Sequence, residues 1–452
     1  MAQQEEAQDP VEPTSGQQAS DGNVDGGLEV DLEVTEGDDE EIIDEPLPIE
    51  DIRLFADVFE KIKNGYVEEI DDRELIVNAI RGMLNGLDPH SQFFDANDYD
   101  EFREDTDGEF GGIGIELSVV DGEVRVIAPI DDTPAAEAGL QPGDLIRQVD
   151  GTPMTDLFFE EIIKRLRGEP GTQVTLSIQR NGDAPFDVVL TRAIIASVSV
   201  KSRLIDGNYG LIRIAKFQND TSDATIKAVE KLKSQARDGR LKGVLLDLRN
   251  NGGGQLDTAI EVADVFLAKG DIVHIRGRIS RDGQTYSADD KDLTDGARIA
   301  VLINGGSASA AEIVAGALQD NQRAVVVGTR SFGKASVQTI VPLIADNGLK
   351  ITTARYYTPN ERSIQARGIV PDISIPQVRL PEDIARDYSI SERDLANHLE
   401  AEPVDLPDER SEEDKKLLFE DFQLNEALSL LKALDVLAQD GTSETKRGDE
   451  SP

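Results

Sequence analysis

Three stretches of this 452-residue chain carry side chains able to break bonds. They are "LLDLRNNGGGQLD" at 245–257, "LINGGSASAAEIVAGALQ" at 302–319 and "VVVGTRSFGKASVQ" at 325–338. The last almost spells a phosphate-binding loop, with Gly328, Gly333 and Lys334 in place. Two details argue against a nucleotide. Ala335 stands where Ser or Thr must hold magnesium, and "SVQTIVPLI" follows, whose β-branched residues and Pro read as a strand rather than a phosphate-cradling helix. Lys334 therefore needs another task.

The serine stretch supplies one. A strand, Gly305-Gly306 and a serine at a helix start place Ser309 beside outward-facing amides and the positive end of a helix dipole. Ser309 to Glu312 also fits S-x-x-E, in which the hydroxyl only caps the helix. A hydrolytic serine needs a base, and Ser-Lys pairs are a known variant. Free lysine titrates near 10.4. Moving it near 7 takes roughly three units, or ~4 kcal/mol, which burial in an apolar cleft can supply. Lys334 lies between two apolar runs and fits that task. His90 in "LDPHSQFF" is the competing base, with a capping or core role as its plainer reading; His274 and His398 read as structural or exposed. Gly252 to Gly254 after a strand read either as a flexible turn or as backbone that aims N–H groups at an anion.

Composition narrows the classes. The net charge of −43 disfavours nucleic-acid binding, which needs basic patches. The absence of cysteine removes thiol nucleophiles, thiolate metal sites and disulfides. Three histidines without a close pair make a histidine zinc site improbable, and no metal or cofactor is expected. No apolar run reaches the length of about 18 residues that spans a membrane. The first residues lack a basic and an apolar segment, so no signal peptide is legible.

The elements that must position these residues follow from periodicity. Residues 1–46 read as a disordered acidic arm. Residues 47–107 read as a helical region, with apolar residues from Ile49 to Ile62 at spacings of three and four and a second helix between Asp72 and Gly86. Residues 108–193 read as a compact unit of short strands separated by turns such as Asn181-Gly182. Residues 194–380 alternate strands and helices, which predicts a layered α/β core. Residues 381–452 read as an acidic linker and a terminal helix whose Leu428, Leu431, Leu434 and Leu437 suit docking or oligomerisation.

In combination these stretches resemble the carboxy-terminal processing (tail-specific) proteases of peptidase family S41, of the bacterial cell-envelope type. "FGGIGIEL" and "TPAAEAGLQPGDLIRQVDG" resemble the family's PDZ domain, "DLRNNGGG" its oxyanion strand, "GSASAAEIVAGALQD" its nucleophile block, "SFGKASVQ" its lysine block and "YYTPNERSIQARGIVPDI" its closing core motif. The resemblance runs from about Leu47 to Ile375. It implies an α/β multi-domain chain: a crotonase- or ClpP-like layered core with an inserted PDZ domain and helical terminal regions. It makes Ser309 the nucleophile and Lys334 the base, with Gln338 orienting the lysine and the amides of Gly253 and Ala310 forming the oxyanion hole. The turn Gly111, Gly112, Ile113, Gly114 and Ile115 would take a substrate's C-terminal carboxylate. The resemblance further implies a periplasmic location with the signal removed and homo-oligomers built through terminal helices. It adds a tetratricopeptide-repeat lipoprotein adaptor in some members, and substrates with unstructured C-termini such as peptidoglycan hydrolases. The chain departs from the family at Ala335 and Glu361, where glycine is usual; a left-handed backbone at Ala335 would be strained. The alternatives are an inactive PDZ scaffold, disfavoured because Ser309 and Lys334 are both present, and a crotonase-like acyl-transfer enzyme.

Overall fold

A computed structural model describes residues 48–120, 122–130, 132–155, 157–278, 283–289, 291–378, 399 and 410–445. The acidic arm, and the linker from 379 to 409 apart from Leu399, lie outside the described residues. The chain divides into one unit ending at Ile76 and a second from Val77 onward.

In the first unit the helix Ile49–Gly65 buries no residue. Its apolar face, including Ile52, Phe55, Val58 and Ile62, is exposed. A second helix, Asp72–Asn85, spans the boundary.

The second unit holds three large sheets. The first is antiparallel, with strands in the order Ile115–Val120, Glu123–Pro129, Leu145–Val149, Gln173–Gln179 and Phe186–Thr191. Strand Gln173–Gln179 alternates as its period of two requires: Val174, Leu176 and Ile178 are fully buried, and the residues between face outward. The Asn181-Gly182 turn has positive φ at both positions, which suits the right-handed twist of the hairpin. Helix Phe159–Leu166 covers this sheet with Ile162 and Leu166.

The second sheet is ordered Val200–Ile205, Tyr209–Ile214, Gly243–Asp247, Arg298–Ile303, Ala324–Gly328 and Ile373–Ser374. Only its first pair is antiparallel. A parallel sheet is covered on both faces, so its strands are apolar throughout. Val244 and Leu246 face helices Thr221–Gln235, Leu256–Val265 and Ala310–Asp320, while Leu245, Ala300, Leu302 and Val327 face the C-terminal helices. The third sheet pairs Gly348–Tyr357 with Gln92–Phe94, Asp271–Gly277 and Ser336–Pro342. The run after Lys334 is therefore a strand, not the helix a phosphate loop requires.

Helix Ala96–Asp107 has little apolar periodicity and was not legible as a helix. Its signals are the ends: the Asp95 carboxylate accepts from the Asp98 amide at 3.1 Å, and Gly108 closes the helix at φ +77.

The terminal leucines divide between two environments. In helix Phe422–Thr445, Leu428 and Leu431 are 0% and 1% exposed beneath the parallel sheet, whereas Leu437 is 68% exposed. The inner part of this helix is therefore core of its own chain. Leu428→Ala is expected to cost about 2–5 kcal/mol in denaturant unfolding. Leu437→Ala is expected to stay within about 0.5 kcal/mol, and equal costs would contradict the docking.

Candidate active site

Strand Arg298–Ile303 ends in the loop 304–309, from which helix Ala310–Asp320 departs. Ser309 sits at this start with φ +54 and ψ −115, a conformation rare for a residue with a Cβ. Such backbone costs roughly 1–3 kcal/mol and persists only where neighbours enforce it. The Ser309 side chain faces the third helical residue as in a capping box, but its hydroxyl closes no cap hydrogen bond. The Glu312 amide instead donates to the Ser309 carbonyl oxygen at 2.8 Å.

Ser307 has the supporting role its place suggested. It is fully buried; its hydroxyl donates to the Leu248 carbonyl at 2.8 Å and accepts from the Asn304 amide at 3.0 Å.

Two buried groups bind the serine start to the lysine loop. Glu312, fully buried, accepts from the amides of Ser309 and Lys334 at 2.9 Å each on Oε2. Its Oε1 takes the Gly333 amide at 2.7 Å and the Ser331 hydroxyl at 2.5 Å. Burial raises its pKa against the pull of these donors. The Tyr356 hydroxyl lies within hydrogen-bond reach of the carbonyl oxygens of both Ser309 and Lys334. Sequence reading found in Glu312 only a capping partner and missed Tyr356, since nothing local links either residue to position 334.

Burial lowers the Lys334 pKa, and nearby Lys350 lowers it further; Asp88 and Glu312 act in the other direction. Lys350 is itself half-buried, its ammonium 5.2 Å and 5.5 Å from the ring centres of Phe94 and Phe102. The segment Asp88–Ser91 joins the site: Asp88 accepts from the amides of His90 and Ser91, and the Ser91 hydroxyl accepts from the Thr352 amide. Burial, then the positive charge of Lys334, lowers the His90 pKa.

Gln338 makes no hydrogen bond to Lys334 among the described residues. Its Nε2 donates to Ser336 Oγ at 2.9 Å and Thr352 Oγ1 at 3.2 Å, beside a bulge between Val337 and Gln338. Ala335 is buried and keeps a negative φ, so the feared strain does not arise. Glu361 does stand at φ +57, in the region that favours glycine, and pairs with Arg276 at 2.7 Å.

Gly253 lies against the serine. At φ +104, a Cβ on it would lie 2.8 Å from Ser309 Cβ and 3.2 Å from the Ala310 nitrogen. The structure thus brings Gly253, Ser309 and Ala310 together. The Gly253 amide, however, donates to Asn251 Oδ1 at 2.8 Å. Gly253→Ala is expected to reduce turnover at least 10²-fold, the scale of a lost oxyanion donor. Near-normal rates on a peptide substrate would show that the close approach is unimportant.

A serine at a helix N-terminus whose backbone shares two buried anchors with that of a lysine of lowered pKa is equipment for covalent acyl transfer. The comparisons give that class its place. A model of peptidase family S41 matches residues 208–375, a PDZ domain model residues 111–185, and a model described as the activating protease CtpB N-terminal domain residues 17–98. The chain is 46% identical over 384 residues to the carboxy-terminal-processing protease of Bartonella bacilliformis, covering 84% of this chain and 87% of that protein. It is 37% identical over 331 residues to a probable CtpA-like serine protease of Staphylococcus aureus, covering 72% and 64%. A solved photosystem II D1 C-terminal processing protease aligns at 29% identity over 74% of this chain and 95% of that one, with a TM-score of 0.43. The chain belongs to peptidase family S41 and is a carboxy-terminal-processing serine protease with a PDZ domain.

Proposed function

We propose that Ser309 is the nucleophile of this protease and Lys334 its general base. One observation carries the reading: a single buried carboxylate, Glu312, and a single buried phenol, Tyr356, anchor the backbones of both residues. Neutral Lys334 takes the proton from Ser309 Oγ as that oxygen bonds to the substrate carbonyl carbon. The tetrahedral oxyanion takes the Ala310 amide, and the Gly253 amide once it leaves Asn251. Collapse breaks the C–N bond, and the leaving amine receives the proton from Lys334. Water then attacks the acyl-serine, again through Lys334, releasing the new C-terminus and restoring Ser309. With Gln338 Nε2 engaged, its Oε1 is the acceptor that orients the ammonium. Cleavage of unfolded casein by the wild type, set against Ser309→Ala and Lys334→Met, tests the assignment.

The PDZ domain presents substrate tails to this site. Strand Ile115–Val120 is an edge of its sheet, open to an added strand. In the preceding turn the carbonyls of Ile113 and Gly114 are tied inward by the amides of Ala135 and Ile130, both at 2.9 Å. Gly111 and Gly112, expected to join this turn, instead end strand Glu109–Gly112 and pair with Ile194 and Ala193; the amides of Ile113 to Ile115 remain to meet a terminal carboxylate. Gly114, at φ +76, packs so closely on Thr133 that no side chain fits. Amidating the C-terminus of a good peptide substrate is expected to weaken its binding about tenfold or more, the loss of a charge-assisted contact; equal affinities by titration remove this role.

The same reading places the enzyme in the periplasm, acting on envelope proteins with unstructured C-termini such as peptidoglycan hydrolases, with a tetratricopeptide-repeat lipoprotein as adaptor. It also makes the chain a homo-oligomer. The exposed apolar face of helix Ile49–Gly65 supports assembly there.

A further inference from the structure

We propose that Arg249 is a positioning residue through which the C-terminal helices hold the oxyanion loop in register with the serine loop, so that turnover depends on the docked C-terminus. This rests on the assignment of Ser309 and Gly253 given above.

Arg249 opens the glycine loop, two residues after the end of a strand buried on both faces. Its guanidinium is itself buried and is gripped on two sides. Nε and Nη2 donate to Asp247 at 2.8 Å each. Nη1 and Nη2 donate to Asp421 at 2.8 and 2.6 Å, and Nη1 also reaches Gln423 Oε1 at 3.1 Å. Asp421 lies between helices Glu412–Glu420 and Phe422–Thr445 and accepts the Leu424 amide at 3.0 Å. Gln423 Nε2 donates to the Ile375 carbonyl at 2.6 Å. Only a planar five-donor fork can satisfy two carboxylates and an amide together; a lysine cannot. Burial works against the charge on Asp421, but Arg249 outweighs it and holds the carboxyl below its usual range.

Beyond Arg249 the chain is stitched to the serine loop at each step. Asn250, at φ +57, exchanges two hydrogen bonds of 2.9 Å with Asn304. The Asn251 carbonyl accepts the Ala308 amide at 2.9 Å, its Nδ2 donates to the Ile214 carbonyl at 2.9 Å, and its Oδ1 takes the Gly253 amide. Ser307 closes the circuit on the Leu248 carbonyl. The two loops are thus one rigid unit whose outer anchor belongs to the last described helices. Loosening Asp421 frees the root of the loop, and the amide of Gly253 and the Cβ of Ser309 lose their register.

The test compares Arg249→Lys and Asp421→Asn with the wild type on unfolded casein at 20 °C. A peptidyl boronate serves as the tetrahedral mimic and the cleaved C-terminal peptide as the ground-state ligand. The expected result is kcat lowered at least tenfold, KM within about twofold, boronate affinity lowered by the factor seen in kcat, and product affinity unchanged. A purely structural role moves the melting temperature alone. Wild-type kcat and boronate affinity in folded variants overturn the proposal. Should the variants not fold, hydrogen exchange on the wild type decides: boronate is expected to slow exchange of the amides between 424 and 431, and unchanged exchange there with boronate bound overturns it. If Ser309→Ala still cleaves, the nucleophile assignment fails instead, a separable outcome.

Discussion

Ser309→Ala is expected to lower kcat on unfolded casein by about 10³-fold or more with the melting temperature nearly unchanged. The reasoning is local. The Ser309 hydroxyl closes no cap hydrogen bond, so deleting it leaves no buried partner stranded. The helix start is held by backbone and by Glu312, both untouched by the substitution. A capping serine behaves oppositely, losing about 1 kcal/mol of stability and keeping its turnover. Ser307→Ala supplies the contrast. It orphans the Asn304 amide and removes one of the two donors to the Leu248 carbonyl, so it is expected to destabilise by roughly 1–3 kcal/mol while keeping most activity at low temperature. Thermal melts and turnover on both variants separate the cases. A Ser309→Ala enzyme cleaving at full rate would falsify the mechanism.

Lys334→Met should match that loss, and the double variant should be little worse than either single one, because the two residues act as a unit. The pH dependence carries the sharper content. In the proposed mechanism only neutral Lys334 accepts the serine proton, so kcat/KM is expected to rise with pH through its pKa. Burial and Lys350 lower that pKa, so the rise is expected to be complete below the range of free lysine, near 10.4. Lys350→Met removes a like charge, which raises the Lys334 pKa and moves the acidic limb to higher pH. Glu312→Gln removes a carboxylate that raises the Lys334 pKa, which moves the limb to lower pH, alongside a fall in kcat as the two anchored loops loosen. Limbs that stay in place in both variants would mean that another group sets the profile, with His90 the first to examine.

Much of the chemistry could be read from residue types and local spacing. Ser309 precedes a helix because Gly305-Gly306 ends a strand and alanines follow. The run after Lys334 is a strand because it is β-branched and closes in Pro342, and this separates it from a phosphate loop. The parallel strands are apolar throughout because both faces are covered, which a run such as "GVLLD" states directly. Helix Ala96–Asp107 escaped the same reading, since Tyr99 and Phe102 are too few to mark a face.

The sequence by itself determined which elements form and which side chains could react, because helix starts, strand periods and glycine turns depend on neighbours within a few positions. Tertiary structure alone decided what surrounds Ser309 and Lys334. Glu312 lies 22 residues before Lys334, yet one carboxylate accepts both its amide and that of Ser309. Asp88 and His90 come within electrostatic range of Lys334 because strand Gln92–Phe94 pairs with Gly348–Tyr357. Arg249 meets Asp421 across 172 positions. A pKa, a strained φ and an anchored loop are set by charge, burial and hydrogen bonds in space, and no local spacing encodes contacts that only the packed sheets create.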